Sequence, residues 1–487
     1  MWRELLPRTP DGWVGAVLAA FALLTLAQHL ALGVLACLEA RRERHRRRLA
    51  DRLSLFESDL APPISILVPA HDAEPTIVES VRALTQVRYP AVEIIVVNDG
   101  SHDGTLEELR RAYGLRPSAR TARARVPRGR ILGIYSSPDR PDLVVVDAAG
   151  GGRAQALNIA LAFARHPLVC AIEAGVVLER DTLLELALPF YRDAAVAATG
   201  GVVRPAHGGP AEPGTLPGAR LARRRLARFQ DLESMRATLI GRLGWTRLDC
   251  LYIVPSALGL FARDAVMSVG GYRTTTLGED MDLAMRIQRW ARRHDRRSAV
   301  RFVPGAVAWA EAPERPAALA REAARRHQGL AESLWLNRGL ALKPALSLRH
   351  AAALLSQLSI DLLGPVWELL GLVYLTVQLA AGRLDGVFAI IYFGGFVLAG
   401  TLNTLLGIAL ESVVCPRYQH FRDSLQLVAD ALLGNFGYRQ LNAWWRARGL
   451  WSALRRWPDW GAAARLGHDD AAETEPAPAT LSRAKAA

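Results

Sequence analysis

The sequence predicts an α/β domain flanked by transmembrane helices, and three observations carry that expectation. An uncharged apolar run opens the chain, short β-rich runs alternate with helical stretches from Pro62 to about Pro316, and a second apolar region begins near Ala351. The composition agrees: 487 residues, 51% apolar, with a mean hydropathy of +0.10, leave room for one sizeable soluble domain and a few spanning helices.

Trp13 to Leu38 holds 26 consecutive residues without a charge, enough to cross about 30 Å of hydrocarbon. A cleaved signal peptide has a shorter apolar core, basic residues before it and a small-residue cleavage site after it, so a retained anchor fits better. Six arginines lie between Arg41 and Arg48, against Arg3 and Arg8 on the other side, which places the C-terminal end of the anchor in the cytoplasm. Residues 1–50 are thus expected to form the anchor and its basic flank.

Residues 51–345 form the expected cytosolic domain. Ile64-Ser65-Ile66-Leu67-Val68 and Glu93-Ile94-Ile95-Val96-Val97 read as strands joined through a helix near Thr76 to Gln86, and such unbroken apolar runs suit strands covered on both faces. Residues 205–218 are rich in Pro and Gly and read as a surface loop. In residues 346–415, Leu362 to Ala381 carries one charge, Glu368, and Val387 to Leu410 carries none, which predicts a hairpin of two further spans. Pro365 and Glu368 leave a buried or re-entrant helix open for the first of them. Residues 416–461 mix Phe436, Tyr438, Trp444, Trp445, Trp451 and Trp457 with arginines, as interfacial segments do, and residues 462–487 read as disordered.

The net charge of +13 comes almost wholly from arginine, because Lys343 and Lys485 are the only lysines. Much of it lies beside apolar segments, and no basic stripe interleaved with aromatics or zinc-type spacing is present, so anionic lipid headgroups are the expected partner and nucleic acid is not. Cys37, Cys170, Cys250 and Cys415 are scattered without a CxxC pattern, which fits a reducing compartment and no disulfide or metal role.

Several segments carry chemistry. Glu279-Asp280 opens a helical run, which by itself suits either a catalytic acid pair or a dipole-complementing helix start. Asn98-Asp99-Gly100-Ser101 suits either a turn or a ligand loop at a strand end. Gly151-Gly152-Arg153 suits a phosphate loop, since glycines admit close backbone approach and the basic residue can pair with an anion, or a flexible lead into an alanine-rich helix.

In order and spacing, however, Ile66 to Asp72, Val96 to Thr105, Gly151 to Asn158, Cys170 to Gly175, Gly200 to Arg204, Phe229 to Glu233, Pro255 to Phe261, Val269 to Tyr272 and Gly278 to Asp280 resemble a membrane-bound family 2 glycosyltransferase of the processive-synthase type. The resemblance implies a GT-A, Rossmann-like domain that moves a sugar from a UDP-sugar to a polysaccharide or glycolipid acceptor with inversion, at the cytoplasmic face of a bacterial-type plasma membrane. It assigns Asp72, Asp99 and Arg153 to the nucleotide, Asp280 to deprotonation of the acceptor with Glu279 beside it, and Arg325 and Arg326 to the acceptor side. A divalent cation, Mg²⁺ or Mn²⁺, is implied at the family's DxD motif, where Glu173 stands for the first acid but Gly175 removes the second carboxylate from the oxygen ligands such an ion needs. The QxxRW motif is also altered: Arg325 persists, the tryptophan does not, and Trp335 is the nearest substitute.

The same losses motivate a second expectation, a catalytically impaired membrane scaffold that keeps the fold and partners an active synthase. A basic membrane-surface module is a third, weaker one. Three spans are few for a wide polymer channel, so polymer translocation calls for another membrane subunit or an oligomer. The topology is testable directly: a cysteine placed at position 45 is expected to react from the cytoplasmic side, and labelling from outside would invert the arrangement.

Overall fold

A computed structural model describes residues 10–49, 61–122, 129–206, 222, 224–255, 257–294, 299–311, 315–340, 348–383, 386–414 and 421–456. The loop expected at 205–218, beyond Ala206, and the tail expected at 462–487 lie outside the described residues.

Among the described residues, ten strands form one sheet. In chain order they are β1 Ile64–Ala70, β2 Val92–Asp99, β3 Arg116–Pro117, β4 Ile131–Ser136, β5 Leu143–Ala148, β6 Leu168–Ala171, β7 Val177–Leu178, β8 Ala198–Ala206, β9 Gly259–Ala262 and β10 Val300–Glu311. Their spatial order is β3-β4-β5-β2-β1-β6-β9-β8-β10-β7. The centre, β5-β2-β1-β6, is parallel throughout, with Ile64 opposite Val92 and Leu168. Both flanks turn antiparallel: β4 runs against β5, and β9 runs against both β6 and β8. The sheet is therefore mixed rather than purely parallel, while its α/β class is the one the alternation predicts.

The two expected strands lie within β1 and β2, and both have two covered faces. Leu67, Ile95, Val97, Val144 and Val146 enter one apolar cluster, and the intervening Ile66, Val68, Ile94, Val96 and Val145 enter the other. Period-2 alternation sends successive residues to opposite layers, so both layers must be apolar and the run reads as continuous. The helix expected near Thr76 to Gln86 spans Ile77–Thr85 and buries Ile77, Val81 and Leu84, a single helical stripe.

The N-terminal helix, Pro10–Leu49, does not stop at the domain boundary: its Leu32, Ala36 and Ala40 join the cluster that contains Leu67 and Ile95. A helical segment between β8 and β9, Arg225–Met235 continued through Arg236–Arg242 to Arg247, packs against it. The approach is close at Gly244, where a Cβ would lie 3.0 Å from the Leu32 carbonyl oxygen. Among the described residues two helices are long and apolar enough to cross a membrane, Gly12–His45 and Gly386–Val414.

The span expected at Leu362 to Ala381, with a re-entrant helix left open beside it, lies within a bent helix pair. Gly364–Ala380 passes the same test only together with Leu348–Leu362, and the two meet at 46°, as a broken span or a re-entrant loop does. Gly364 and Pro365 open the second arm, and a proline there removes a backbone donor and kinks the chain. Hydropathy reports length, not direction, so the bend is invisible to it.

A buried ionic knot braces the Glu279–Arg293 helix. Asp282 is fully buried, with Arg286 Nε 2.7 Å from one carboxylate oxygen and Arg273 and Asn337 each 2.8 Å from the other. Burial would raise this carboxyl, but Arg286, Arg273 and the Asn337 bond outweigh it and hold the group below its ordinary range. Because the folded-state value is depressed, its stabilisation is complete above the unfolded value of about 4 and is lost as pH falls through the folded value. Asp282→Ala strands two guanidinium groups and is expected to cost about 3–5 kcal/mol, read as a lower thermal unfolding midpoint in detergent; an unchanged midpoint would refute the knot's structural role.

Candidate active site

Three segments bring charge to the C-terminal edge of the parallel strands, the edge where open α/β sheets bind ligands. Arg153 is the first residue of the Arg153–Phe163 helix after β5, Glu173 follows β6, and Glu279 and Asp280 open the Glu279–Arg293 helix. The Arg153 guanidinium joins them: Nη1 lies 2.6 Å from Glu279 and 2.8 Å from Asp280, and Nε lies 3.2 Å from Glu173. Burial disfavours the charged guanidinium, but Asp280, Glu173 and Glu279 more than compensate and raise its pKa.

Asp280 is 8% exposed. Burial pushes its carboxyl up to about 6, with Arg153 pulling the other way and Glu279 adding to the rise. A carboxyl poised there is neutral in mild acid and a usable base near neutrality.

Asp99 ends β2. Burial raises its carboxyl too, against backbone N–H donors of Gly152 and Gly151 and the nearby His71. Those contacts require the glycine loop to lie against the strand end: a Cβ on Gly100 would sit 2.9 Å from Gly150 Cα, and Gly100 and Gly150 have φ of +63° and +90°. Asp99 Oδ1 is buried and has no hydrogen-bond partner among the described residues. A buried acceptor of that kind is suited to a ligand N–H.

Asp72 follows β1, with φ of +49°. Its loop is stitched to the one after β2: the Asp72 N–H donates to Ser101 Oγ at 3.0 Å, the His102 N–H to Asp72 Oδ1 at 2.8 Å, and the Gly104 N–H to Glu74 at 2.8 Å. Asp72, Asp99, Arg153, Glu173, Glu279 and Asp280 therefore lie along one edge of the sheet. Neither Arg325 nor Arg326 bonds to the carboxylate group among the described residues; both are exposed, and Arg326 pairs with Glu322 on its own helix. Trp335 has the Arg338 guanidinium 4.3 Å from its ring centroid, so one face is taken.

What the Pro316–Leu336 helix contributes instead was not legible in the motifs. Gln328, Glu332 and Ser333, all buried, hold the loop that launches Glu279. Glu332 accepts bonds from the Leu277 N–H at 2.7 Å, Thr276 Oγ1 at 3.1 Å and Gln328 Nε2 at 2.9 Å, and Ser333 donates to the Gly278 carbonyl at 3.0 Å. Gly278 and Gly329 touch through backbone: a Cβ on Gly278 would lie 2.5 Å from the Gly329 oxygen. The only sequence signal was glycine at both positions.

The residues present do not fit a metal held by two carboxylates at the β6 end. Gly175 brings no ligand and has φ of +87°, where an L-residue is strained, and Glu173 is engaged by Arg153. The positive charge at this point is an arginine.

Residues 65–238 match the family model for Glycosyl transferase family 2. The chain is similar to the probable glycosyltransferase YdaM of Bacillus subtilis (strain 168), 24% identical over 258 residues that cover 52% of this chain and 51% of that one. It is also similar to poly-beta-1,6-N-acetyl-D-glucosamine synthase of Staphylococcus aureus (strain COL), 23% identical over 269 residues, 55% of this chain and 54% of that one. The chain thus spans about half the length of these curated relatives. Among solved structures, the mannosyltransferase PcManGT from Pyrobaculum calidifontis, in complex with GDP-Man and Mn²⁺, superposes with a TM-score of 0.52 at 20% identity, covering 86% of this chain and 99% of that one, a likeness of fold.

Proposed function

We propose that this chain, which carries a domain of glycosyl transferase family 2 at residues 65–238, is an inverting transferase that moves a sugar from a UDP-sugar to a polysaccharide or glycolipid acceptor at the inner face of the membrane. The observation that carries the reading is Asp280: a buried carboxylate, poised near 6, tied to an arginine that follows a glycine loop.

On this reading the uracil ring donates its N–H to Asp99 Oδ1, the buried acceptor at the end of β2. Asp72, on the loop stitched beside it, completes the base cleft. The diphosphate meets the glycine loop and the start of the Arg153–Phe163 helix, where the helix dipole favours an anion. Arg153 exchanges its carboxylate partners for phosphate oxygens. That exchange does two things: it brings positive charge to the leaving group, usually the larger catalytic contribution, and it releases Asp280.

Asp280 then takes the proton of the acceptor hydroxyl as its oxygen attacks the anomeric carbon. The bond from that carbon to the phosphate oxygen breaks on the opposite side, UDP departs with the bonding pair, and the configuration inverts. Mn²⁺ accompanies the nucleotide sugar in the PcManGT complex, whereas in this chain Arg153 is the positive charge beside Glu173. Glu279 shares Arg153 with Asp280 and raises the Asp280 carboxyl, which keeps the base strong.

A cytoplasmic location is supported by the arginines at Arg41 to Arg48, which favour the inner side, and by Leu32, Ala36 and Ala40, which pack into the domain from the same end of the helix. Lipid bilayer and acceptor are then reached from one side.

Two measurements test the reading. Turnover of purified full-length protein with a panel of UDP-sugars is expected to give a kcat/KM that rises with pH through about 6, as Asp280 loses its proton in the free enzyme. Asp280→Asn is expected to lower turnover about 10²-fold or more with little change in UDP affinity. Robust activity in that variant would remove Asp280 from its role, and a folded wild-type protein that turns over no donor would favour the scaffold. Calorimetry with UDP is expected to give the same affinity with and without a chelator, since the carboxylate pair of a metal site is missing. Strict Mn²⁺ dependence would contradict the arginine's part.

A further inference from the structure

We propose that His71, Asp72 and His102 form a binding site for a borderline transition-metal ion, Zn²⁺ or Co²⁺ rather than Mg²⁺, on the rim of the nucleotide cleft. The three side chains come from the loops after β1 and β2, and their ligand atoms all lie within 4.8 Å of one another. His71 Nε2 and Asp72 Oδ2 are 3.5 Å apart, close to the separation of about 3.4 Å between two ligand atoms that each bond a tetrahedral zinc at roughly 2.1 Å.

Orientation, more than proximity, distinguishes this group from a solvated turn. His71 Nδ1 lies 2.8 Å from the Asp99 carbonyl oxygen, which can only accept, so Nδ1 carries a hydrogen and Nε2, on the side of Asp72, is the ring atom left to coordinate an ion. A backbone carbonyl behind the imidazole is the usual outer partner of a metal-bound histidine. Asp72 is likewise held from behind: Oδ1 accepts the His102 N–H at 2.8 Å, and Oδ2 is the oxygen nearer His71. Its backbone sits at φ of +49°, a costly region for a residue other than glycine, and the Ser101 and His102 bonds keep it there. The His102 ring meets the His71 ring edge-on, with centroids 6.1 Å apart.

Two imidazoles and one carboxylate are a donor set for Zn²⁺ or Co²⁺, whereas Mg²⁺ and Mn²⁺ favour all-oxygen sites. His71 and Asp72 are about half exposed, so an ion has a path in and a coordination position facing water. The site uses Asp72, so on the reading of Asp72 as a nucleotide residue the ion and the nucleotide compete.

The test is a Co²⁺ titration of the full-length protein in detergent. One ion per chain is expected to develop visible d–d bands that Zn²⁺ removes and Mg²⁺ does not. His102→Ala and His71→Phe, made separately, are each expected to weaken the binding about tenfold or more. Absence of the bands, or bands unchanged in both variants, overturns the site. UDP affinity is expected to fall when Zn²⁺ is added to the wild type and to stay level in His102→Ala. Cobalt bands that behave as expected, with wild-type UDP affinity unmoved by zinc, would uphold the site and overturn only the competition at Asp72.

Discussion

The arrangement of the site depends on one guanidinium. Glu173, Glu279 and Asp280 come from two distant parts of the chain, and without a cation among them three carboxylates at close quarters would repel and desolvate one another. Arg153 makes the cluster affordable and sets its electrostatics, because it pulls the Asp280 carboxyl down against the burial that raises it. Its planar fork reaches Glu173 through Nε and the acidic pair through Nη1, a division of contacts that a lysine ammonium could not reproduce in the same way. Arg153 thus brings positive charge beside Glu173 at the strand end where Gly175 supplies no carboxylate.

Around that centre the scaffold has a clear division of labour. The central parallel strands, apolar on both faces, fix where the loops emerge. Asn158 exchanges two hydrogen bonds of 2.7 Å with the backbone of Tyr272, which ties the Arg153 helix to the segment leading to Gly278. Asp282, two residues beyond Asp280, belongs to the packing: its knot with Arg273 and Arg286 anchors the first turn of the helix that presents the acid.

Much of this could be read from residues alone, for identifiable reasons. Unbroken apolar runs at Ile64 and Glu93 announce two-faced strands, and Asp99 and Arg153 lie at strand ends in segments with glycine, so their place on the sheet edge followed from local pattern. The antiparallel flanks did not, since β3 and β7 have two residues each and exist only through their partners. Nor did the Pro316–Leu336 helix yield its role. The motif resemblance points to Arg325 and Arg326, whereas the residues that hold the Glu279 loop, Glu332 and Ser333, bond to partners 55 or 56 positions away. Pairings of that range leave no periodicity to detect.

The same helix gives the contact of Gly278 with Gly329 a mechanical meaning. Two residues before Gly329, His327 donates from Nε2 to the Leu362 carbonyl at 3.0 Å, at the elbow of the bent pair; burial, with Arg446 alongside, lowers its pKa to about 3, so the ring stays neutral for that bond. Arg446, on the Tyr438–Arg455 helix, donates to the neighbouring Asp361 carbonyl at 2.7 Å, and Gly449 of that helix lies directly on the Ala324 backbone. The elbow cannot straighten without dragging or breaking this clamp, and the clamp's other jaw rests against the residue before Glu279. A displacement at the elbow therefore reaches the loop ahead of Glu279 through packed backbone, not through a flexible side chain.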